Sequence, residues 1–270
     1  MEKTIVITGS TSGIGNALVK YFAKGNKVFA GYRNEQHVKS LEDLGVTPFY
    51  IDMTSSDSIR QAAAFIKSQT NKIDTLINVA GCVVAGVIEN LEVDRIRHQF
   101  EVNTFSHLDF TQNLLDLLEN GKIINISSMA SFGVFPFVGP YCASKRALDI
   151  LFNSFVNETK RNIKVVSIKP GVIATPLWEK SININEKSIN NCDGYENEMK
   201  FMVKNARKNQ EKGLDVNEVV KLIVKIDSMA NPKPSYTVGK DAKAAEIISH
   251  LPQGLINKLV QFNLKRRVNS

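Results

Sequence analysis

The sequence is poor in the features that mark secreted, membrane-spanning and metal-binding proteins. Only three of its 270 residues are cysteine, an odd number without paired spacing, which favours a reducing compartment over an oxidising one. No apolar run approaches the ~20 residues that a membrane-spanning helix needs. An apolar strand pattern begins at Thr4, which leaves no room for a signal peptide. We therefore expect a cytoplasmic protein.

Metal and nucleic-acid ligands are not indicated either. His37, His98, His107 and His250 show no grouping with metal-ligand spacing, so we expect no metal site. The formal net charge is +7, but the lysines are spread along the chain. The one basic cluster, Lys265-Arg266-Arg267, suits a solvated helix C-terminus. Without zinc spacing, a base-stacking motif or a long basic arm, nucleic-acid binding is not expected.

Strand and helix patterns alternate along the chain. Strands are predicted at residues 4–7, 27–32, 48–51, 74–78, 122–126, 163–169 and 235–238. Helices are predicted at 14–24, before 45, and at 56–68, 91–118, from 141 onward and at 215–226. Right-handed crossovers between parallel strands then place helices on both faces of the sheet. With 43% hydrophobic residues and no linker, the chain is predicted to form one α/β domain over residues 1–270, doubly wound, mainly parallel and Rossmann-like.

A glycine-rich turn follows the first strand. Residues 8–15 read Thr-Gly-Ser-Thr-Ser-Gly-Ile-Gly and open a helix. Glycines let the backbone approach a pyrophosphate, and the helix N-terminus supplies amide hydrogens and positive dipole. The spacing is G-x-x-x-G-x-G rather than the common G-x-G-x-x-G. Its position directly after an apolar first strand predicts a dinucleotide site.

A second motif lies at the end of the fifth strand. Ser127 and Ser128 fall where that strand ends, and Tyr141 and Lys145, four residues apart, share one face of the next helix. An ammonium close to a phenol favours the phenolate, so we expect Lys145 to lower the pKa of Tyr141. Alternatives stay open, because Tyr-x-x-x-Lys also occurs by chance and a serine pair often caps a turn or helix.

Together these motifs resemble the short-chain dehydrogenase/reductase family. Over residues 4–175, the family's order is matched by Thr8-Gly9-x-x-x-Gly13-x-Gly15, Asn78-x-Ala80-Gly81, Asn103, Ser128, Tyr141-x-x-x-Lys145 and Pro170-Gly171. The resemblance implies an oxidoreductase in which Tyr141 is the acid/base and Lys145 lowers its pKa and holds the nicotinamide ribose. It also implies that Ser128 positions the substrate oxygen and that Asn103 supports a water-linked proton relay.

The resemblance also implies a set of cofactor-binding residues. They are Gly9, Thr11, Ser12, Gly13, Ile14, Gly15, Arg33, Asp52, Met53, Asn78, Ala80, Gly81, Tyr141, Lys145, Pro170, Gly171, Ile173 and Thr175. For three positions a structural role competes with the functional one. Asn78 stabilises the central strand end in one interpretation, Asn103 marks a kink or a buried hydrogen bond, and Asp52 caps a helix rather than contacting adenine.

The end of the second strand predicts which dinucleotide is preferred. An NAD site usually has an acid there to accept from the ribose 2′-hydroxyl, whereas a 2′-phosphate needs a cation. Tyr32 occupies the acid's expected place and Arg33 follows it. Because a guanidinium binds phosphate bidentately, we predict NADP(H) over NAD(H). Glu35 is the competing acid, although it is expected in the first turn of the next helix.

The remaining sequence predicts the character of the substrate. Residues 176–212 are rich in Asn, Lys and Glu and are expected to form a movable helical lid, or alternatively a solvated helical excursion. Apolar residues expected at the pocket are Val134, Phe135, Phe137, Leu177, Trp178, Phe201 and Met202. No charged residue stands out as a substrate anchor. The prediction is therefore a small hydrophobic ketone, aldehyde or alcohol, as in the steroid- and retinol-type members that the chain resembles.

The last expectations concern the C-terminal segment, the binding partners and the alternative functions. A C-terminal helical segment at about 240–267 is expected to cover the cleft or pack on another subunit, and a membrane surface is the less favoured partner. The family resemblance implies a homo-oligomer. The main alternative function is a catalytically idle NADP-binding sensor or interaction protein, and the third is an epimerase or dehydratase.

Overall fold

The computed structural model of the chain describes residues 2–268, except for the side chains of Arg267 and Val268. Met1, Asn269 and Ser270 of the predicted domain, and the Arg267 side chain of the predicted basic cluster, lie outside the described residues. The strands are β1 Thr4–Ile7, β2 Lys27–Tyr32, β3 Thr47–Tyr50, β4 Thr75–Asn78, β5 Lys122–Ile126, β6 Lys164–Pro170 and β7 Ser235–Val238. They form one sheet in the order β3-β2-β1-β4-β5-β6-β7, and all neighbouring strands are parallel.

Helices cover both faces of this sheet. They are α1 Gly13–Phe22, α2 Val38–Glu42, α3 Ser56–Gln69, α4 Val93–Phe100, α5 Ser106–Asn113, α6 Gly139–Glu158, α7 Leu177–Ile184, α8 Glu186–Asn190, α9 Glu196–Lys212, α10 Val216–Ser228, α11 Lys240–Ile248 and α12 Gln253–Val268. Side chains of a strand alternate between faces. Val6 accordingly packs in the core with α3 and α6, whereas Ile5 and Ile7 pack in the core with α1 and α10. The predicted fold class is confirmed.

The predicted helical region at 91–118 differs from the structure in its continuity and in its end. The structure has α4 and α5 separated by a π-helical turn, Glu101–Phe105, and α5 ends at Asn113. A π turn inserts a residue into the helical hydrogen-bond ladder without interrupting the helix. The helical region therefore continues through the turn, and the helix signals of the sequence did not reveal it. Asn103 lies within this turn.

The strand order changes direction between β1 and β4, and parallel sheets bind ligands at the carboxyl ends of strands at such a point. The ends of β1, β4, β5 and β6 meet there. None of the described helices is both long and apolar enough to cross a membrane. Within residues 2–268, no three His, Cys, Asp or Glu side chains cluster in a way that could hold a metal ion.

Candidate active site

The turn after β1 is built so that only glycine fits at its key positions. Gly9 and Gly13 have positive φ angles of 63° and 52°. A Cβ on Gly9 would lie 2.9 Å from the backbone of Ala80, and a Cβ on Gly15 would lie 2.1 Å from the Gly9 carbonyl oxygen. Buried Thr8 joins the turn to the end of β4, since its hydroxyl accepts from Val79 N at 3.0 Å and from Ala80 N at 3.2 Å. A backbone cradle of this kind at a helix N-terminus fits the pyrophosphate of a dinucleotide.

Replacing Gly15 should therefore disrupt cofactor binding. In Gly15→Ala the new methyl group would overlap the Gly9 carbonyl, and the turn would have to move. We expect the Kd for NADP+ and for NAD+ to rise at least about tenfold, because the backbone amides no longer converge on the phosphates. Isothermal titration calorimetry measures both constants. Gly254→Ala is the control, since a Cβ there meets open space; unchanged binding in Gly15→Ala would contradict this account of the turn.

The ends of β5 and α6 bring the predicted catalytic side chains together. Helix α6 begins with Gly139 and Pro140, so Tyr141 lies in its first turn and Lys145 one turn later. The Lys145 Nζ donates to the carbonyl of Ile126, the last residue of β5, at 2.8 Å and lies 6.0 Å from the centroid of the Tyr141 ring. Ser128 follows β5, its hydroxyl accepts from Ala130 N at 3.1 Å, and it lies close enough to Tyr141 to lower the pKa of that phenol. The three side chains that the sequence pattern placed together are therefore close to one another in the structure.

The protonation states of this group differ from the sequence-based expectation. Burial raises the pKa of Tyr141 to about 12, and the nearby Ser128 hydroxyl only partly opposes that rise. Burial also lowers the pKa of Lys145 to about 8, against the opposing influence of Asp149. The expected lowering of the Tyr141 pKa by Lys145 is absent in the chain alone, because burial outweighs other effects and the ammonium donates to a carbonyl. At neutral pH the phenol consequently carries its proton.

Asn103 is held by a complete set of hydrogen bonds. Its amide nitrogen donates to the Cys82 carbonyl at 2.9 Å and to the Ser144 hydroxyl at 3.0 Å, and its oxygen accepts from Cys82 N at 2.9 Å. The buried hydrogen bond considered as an alternative is thus observed, within the π-helical turn. A Cβ on Gly81 would lie 3.3 Å from Asn103 Oδ1 and 3.6 Å from Lys145 Nζ, so the two side chains border the same small space.

The end of β4 is tied to its neighbours by buried polar groups. The Asn78 amide donates to Asn125 Oδ1 of β5 at 2.8 Å, which is the structural role considered for it. The Ala80 carbonyl lies 2.9 Å from His107 Nε2. Burial lowers the pKa of His107 to about 3, so this imidazole is neutral at physiological pH. No sequence pattern indicated that His107 would lie beside Ala80.

The residues proposed to select the dinucleotide lie at the ends of β2 and β3. Tyr32 packs edge-to-face on Tyr50 and ends β2, and Arg33 is exposed directly after it. Glu35 begins a 3₁₀ turn, as expected for the following helical segment. Burial disfavours ionisation of Asp52, but hydrogen bonds from Thr54, with Arg33 nearby, hold the pKa of Asp52 below its ordinary value. Asp52 is thus an ionised turn residue beside Arg33, and Met53 next to it is buried.

The segment after β6 borders the glycine turn. The Thr175 side chain lies 3.4 Å from the position of a Cβ on Gly13, and Ile173 is buried. Pro170 is the last residue of β6. A Cβ on Gly171 would lie 2.1 Å from Asp241 Oδ1, whose other carboxylate oxygen accepts from Val172 N at 2.7 Å. Glycine is therefore required at 171 to make room for Asp241, a contact that the sequence did not indicate.

The predicted lid is helical and is attached to the body of the protein at several points, of which Trp178 and Asn185 are two. Trp178 Nε1 donates to the Ile173 carbonyl at 2.8 Å. Buried Asn185, between α7 and α8, accepts from Ala85 N at 2.8 Å and donates to the Val83 carbonyl at 2.7 Å. An apolar cluster between the lid and the body of the protein comprises Val87, Cys192 and Met199 with Phe137, Ile189, Tyr195 and Met202. Of the expected pocket residues, the cluster contains Phe137 and Met202; Val134, Phe135, Leu177, Trp178 and Phe201 lie outside it.

A buried ion pair behind the active-site lysine was missed by the sequence reasoning. Asp149 is four residues beyond Lys145 on α6, is 2% exposed, and lies 3.3 Å from the Nζ of Lys169 on β6. Lys169 Nζ also lies 4.6 Å from the Phe132 ring centroid. The helical spacing between Lys145 and Asp149 was a usable signal. The pairing with Lys169 was not, because it depends on how α6 packs on the sheet.

This ion pair gives an expected pH dependence. The kcat/KM for NADPH should fall as the pH rises through about 8, since Lys145 is charged only below its pKa. Asp149 raises that pKa, so Asp149→Asn should shift the fall to lower pH. Glu158→Gln, which removes an exposed carboxylate at the end of the same helix, should leave the profile unchanged. An alkaline limb that stays in place in Asp149→Asn would contradict this assignment.

Comparison with known proteins agrees with the geometry. A family model described as short chain dehydrogenase matches residues 3–187. An NADPH-dependent 3-dehydrocapnine reductase from Ornithobacterium rhinotracheale is 34% identical over 190 residues, 65% of this chain and 67% of that protein. A 3-ketodihydrosphingosine reductase from Bacteroides thetaiotaomicron is 30% identical over 240 residues, 87% of each chain. A short chain dehydrogenase/reductase from Burkholderia phymatum, solved with NAD, shares the fold, with a TM-score of 0.79, 19% identity and 92% coverage of each chain.

Proposed function

This chain belongs to the short-chain dehydrogenase/reductase family and is an NAD(P)-dependent oxidoreductase, and from this premise we propose that it reduces a hydrophobic ketone or aldehyde with NADPH. The observation that carries the proposal is the convergence of Ser128, Tyr141 and Lys145 next to the turn at residues 8–15. The phenol retains its proton at neutral pH, which suits donation to a carbonyl oxygen. Reduction is therefore the proposed direction of a reversible hydride transfer.

Each side chain has a distinct role in the proposed mechanism. When bound, the nicotinamide supplies the hydride, and the chain supplies geometry and the proton. Ser128 holds the carbonyl oxygen of the substrate beside the phenol, and Tyr141 donates its proton to that oxygen. Lys145 spends one of its three N–H donors on Ile126, which leaves two for the ribose hydroxyls. Its positive charge stabilises the phenolate that proton donation leaves. Asn103 borders the same small space as Lys145 and is proposed to support a water-linked proton relay.

The proposed cofactor preference rests on Arg33. This exposed guanidinium follows the strand end where Tyr32 replaces the acid of an NAD site. The carboxylate of Asp52 lies near Arg33 but accepts from Thr54, so the guanidinium keeps its N–H donors for a 2′-phosphate. The name of the Ornithobacterium relative, an NADPH-dependent reductase, supports the same preference. We assign the remaining implied cofactor contacts to Thr11, Ser12, Ile14, Met53, Ile173 and Thr175.

The proposed substrate class rests on the apolar cluster between the lid and the body of the protein. Phe137 and Met202 are half-buried and present hydrophobic surface there, and a ketone with an alkyl chain gains binding free energy by burying that chain against them. Two relatives are named as reductases of 3-dehydrocapnine and 3-ketodihydrosphingosine. A ketone near the end of a long alkyl chain is therefore the substrate to test first.

Loss of NADPH absorbance with a panel of carbonyl compounds tests the proposal. The panel contains 3-ketodihydrosphingosine, alkyl ketones of increasing chain length, retinal and a polar sugar ketone. We expect turnover, with kcat/KM that increases with alkyl length. Tyr141→Phe is the control for the chemistry. NADPH binding without consumption of any carbonyl would contradict the proposal and favour the alternative of an idle NADP-binding sensor or interaction protein.

The quaternary state and compartment are also proposed. Val93, Phe105 and Ile150, on α4, the π turn and α6, are exposed apolar side chains, which favours contact with a second copy. Cys82, Cys142 and Cys192 are all free, which is typical of a reducing compartment, and the compartment we propose is the cytoplasm. We expect light scattering after gel filtration to give a homo-oligomer, and Phe105→Ser to shift it toward the monomer. A monomer at micromolar concentration would exclude this assembly.

A further inference from the structure

A lysine of the lid reaches the glycine turn. Lys180 lies on α7, and its Nζ donates to the Ser12 hydroxyl at 3.1 Å. Ser12 is the N-cap residue of α1, has an extended backbone, and uses its side chain for no capping hydrogen bond. The ammonium of a residue 168 positions later in the chain is thus placed at the turn that fits the dinucleotide phosphates.

The fold determines where this lysine lies. Trp178, two residues before it, is bonded to the Ile173 carbonyl, and Asn185, at the end of α7, is buried and bonded to the Val83 and Ala85 backbone. Helix α7 is therefore fixed on both sides of Lys180. A long flexible side chain extends from a firmly attached helix toward the N-terminus of α1.

The electrostatics of this location favour binding of an anion. The N-terminus of a helix carries partial positive charge, and the exposed ammonium of Lys180 adds a full positive charge beside it. Among the described residues, Lys180 takes part in no ion pair, whereas Lys187 of the next helix pairs with Glu92. Lys180 and the amides of the glycine turn thus face the same space with no carboxylate bonded to the ammonium.

We propose that Lys180 is a cofactor-binding residue whose ammonium binds a phosphate group of the dinucleotide from the lid side. The glycine turn forms the opposite side of the same phosphate site. The inference rests on dinucleotide binding and not on the identity of the carbonyl substrate.

Calorimetric titration of NADP+ and NAD+ into the full chain tests this proposal. Lys180→Ala should weaken binding about tenfold, the effect of one hydrogen bond to a charged group. Equal weakening for both dinucleotides identifies the bridging diphosphate, and weakening for NADP+ alone identifies the 2′-phosphate; both outcomes support the proposal. Lys180→Arg, which keeps the charge, should bind within about threefold of the parent chain. Parent-like affinity of Lys180→Ala for both dinucleotides would overturn it.

Two further readouts separate a direct phosphate contact from a general effect on folding. Lys204→Ala removes an exposed charge from α9 of the same lid and should leave both affinities unchanged. Added salt should weaken NADP+ binding less steeply in Lys180→Ala than in the parent chain, because one screened charge contact is gone. Identical salt dependence in the two proteins would count against the proposal. No substrate is used, so a negative result here is independent of the proposed carbonyl reduction.

Discussion

Tyr141→Phe should lower kcat by about 10²- to 10⁴-fold, the range expected when a general acid is removed. The phenyl ring keeps the packing of the phenol, and only the hydroxyl that faces Ser128 is lost. The Kd for NADPH should change by less than about threefold, since the side chain's role in binding is minor compared with the glycine turn. Steady-state turnover and calorimetric binding give the two quantities separately.

Tyr21→Phe provides the matched control for this substitution. Tyr21 is half-exposed on α1, and loss of its hydroxyl should leave both kcat and NADPH affinity unchanged. Turnover of Tyr141→Phe equal to that of the control would exclude Tyr141 as the acid. A large loss of NADPH affinity would instead assign the tyrosine mainly to cofactor binding.

Arg33→Ala should raise the KM for NADPH about 10- to 100-fold, because a guanidinium–phosphate contact contributes more than a neutral hydrogen bond. The KM for NADH should change little, since NADH lacks the 2′-phosphate. The ratio of kcat/KM for the two cofactors is the measured quantity.

Arg60→Ala, which removes an exposed guanidinium from α3, is the control for the loss of surface charge. This substitution should leave the ratio of kcat/KM for NADPH and NADH unchanged. If Arg33→Ala raises the KM for NADPH and NADH equally, then Arg33 contacts a part that the two cofactors share, and the proposed NADP preference loses its main support.

Local patterns predicted much of the architecture. The strands β1, β2, β5 and β7 have the predicted bounds, because short apolar runs between turn residues are strand signals that need no tertiary information. Tyr141 and Lys145 were predicted on one helix face for a similar reason, since four-residue spacing fixes their relation within α6. Gly9 and Gly15 were recognisable from their motif, and the contact of Gly15 with the Gly9 carbonyl explains the motif's spacing.

Tertiary packing decided what the sequence could not predict. The π turn around Asn103 is stabilised by contacts with Cys82 and Ser144, which are remote in the chain. The predicted direction of the Tyr141 pKa shift was wrong because burial of the phenol outweighs the ammonium one turn away. Lys180 reaches Ser12 only because α7 is attached at Trp178 and Asn185. No residue spacing indicates such a contact.

The most direct test of the central claim is a crystal structure of the chain with NADP+. We expect the diphosphate on the turn at residues 8–15 and the nicotinamide ring beside Tyr141, with its ribose hydroxyls bonded to Lys145. The Tyr141 oxygen should lie within hydrogen-bond reach of a carbonyl placed over that ring. A nicotinamide bound away from Tyr141, or a phenol directed out of the cleft in the complex, would contradict the proposed mechanism.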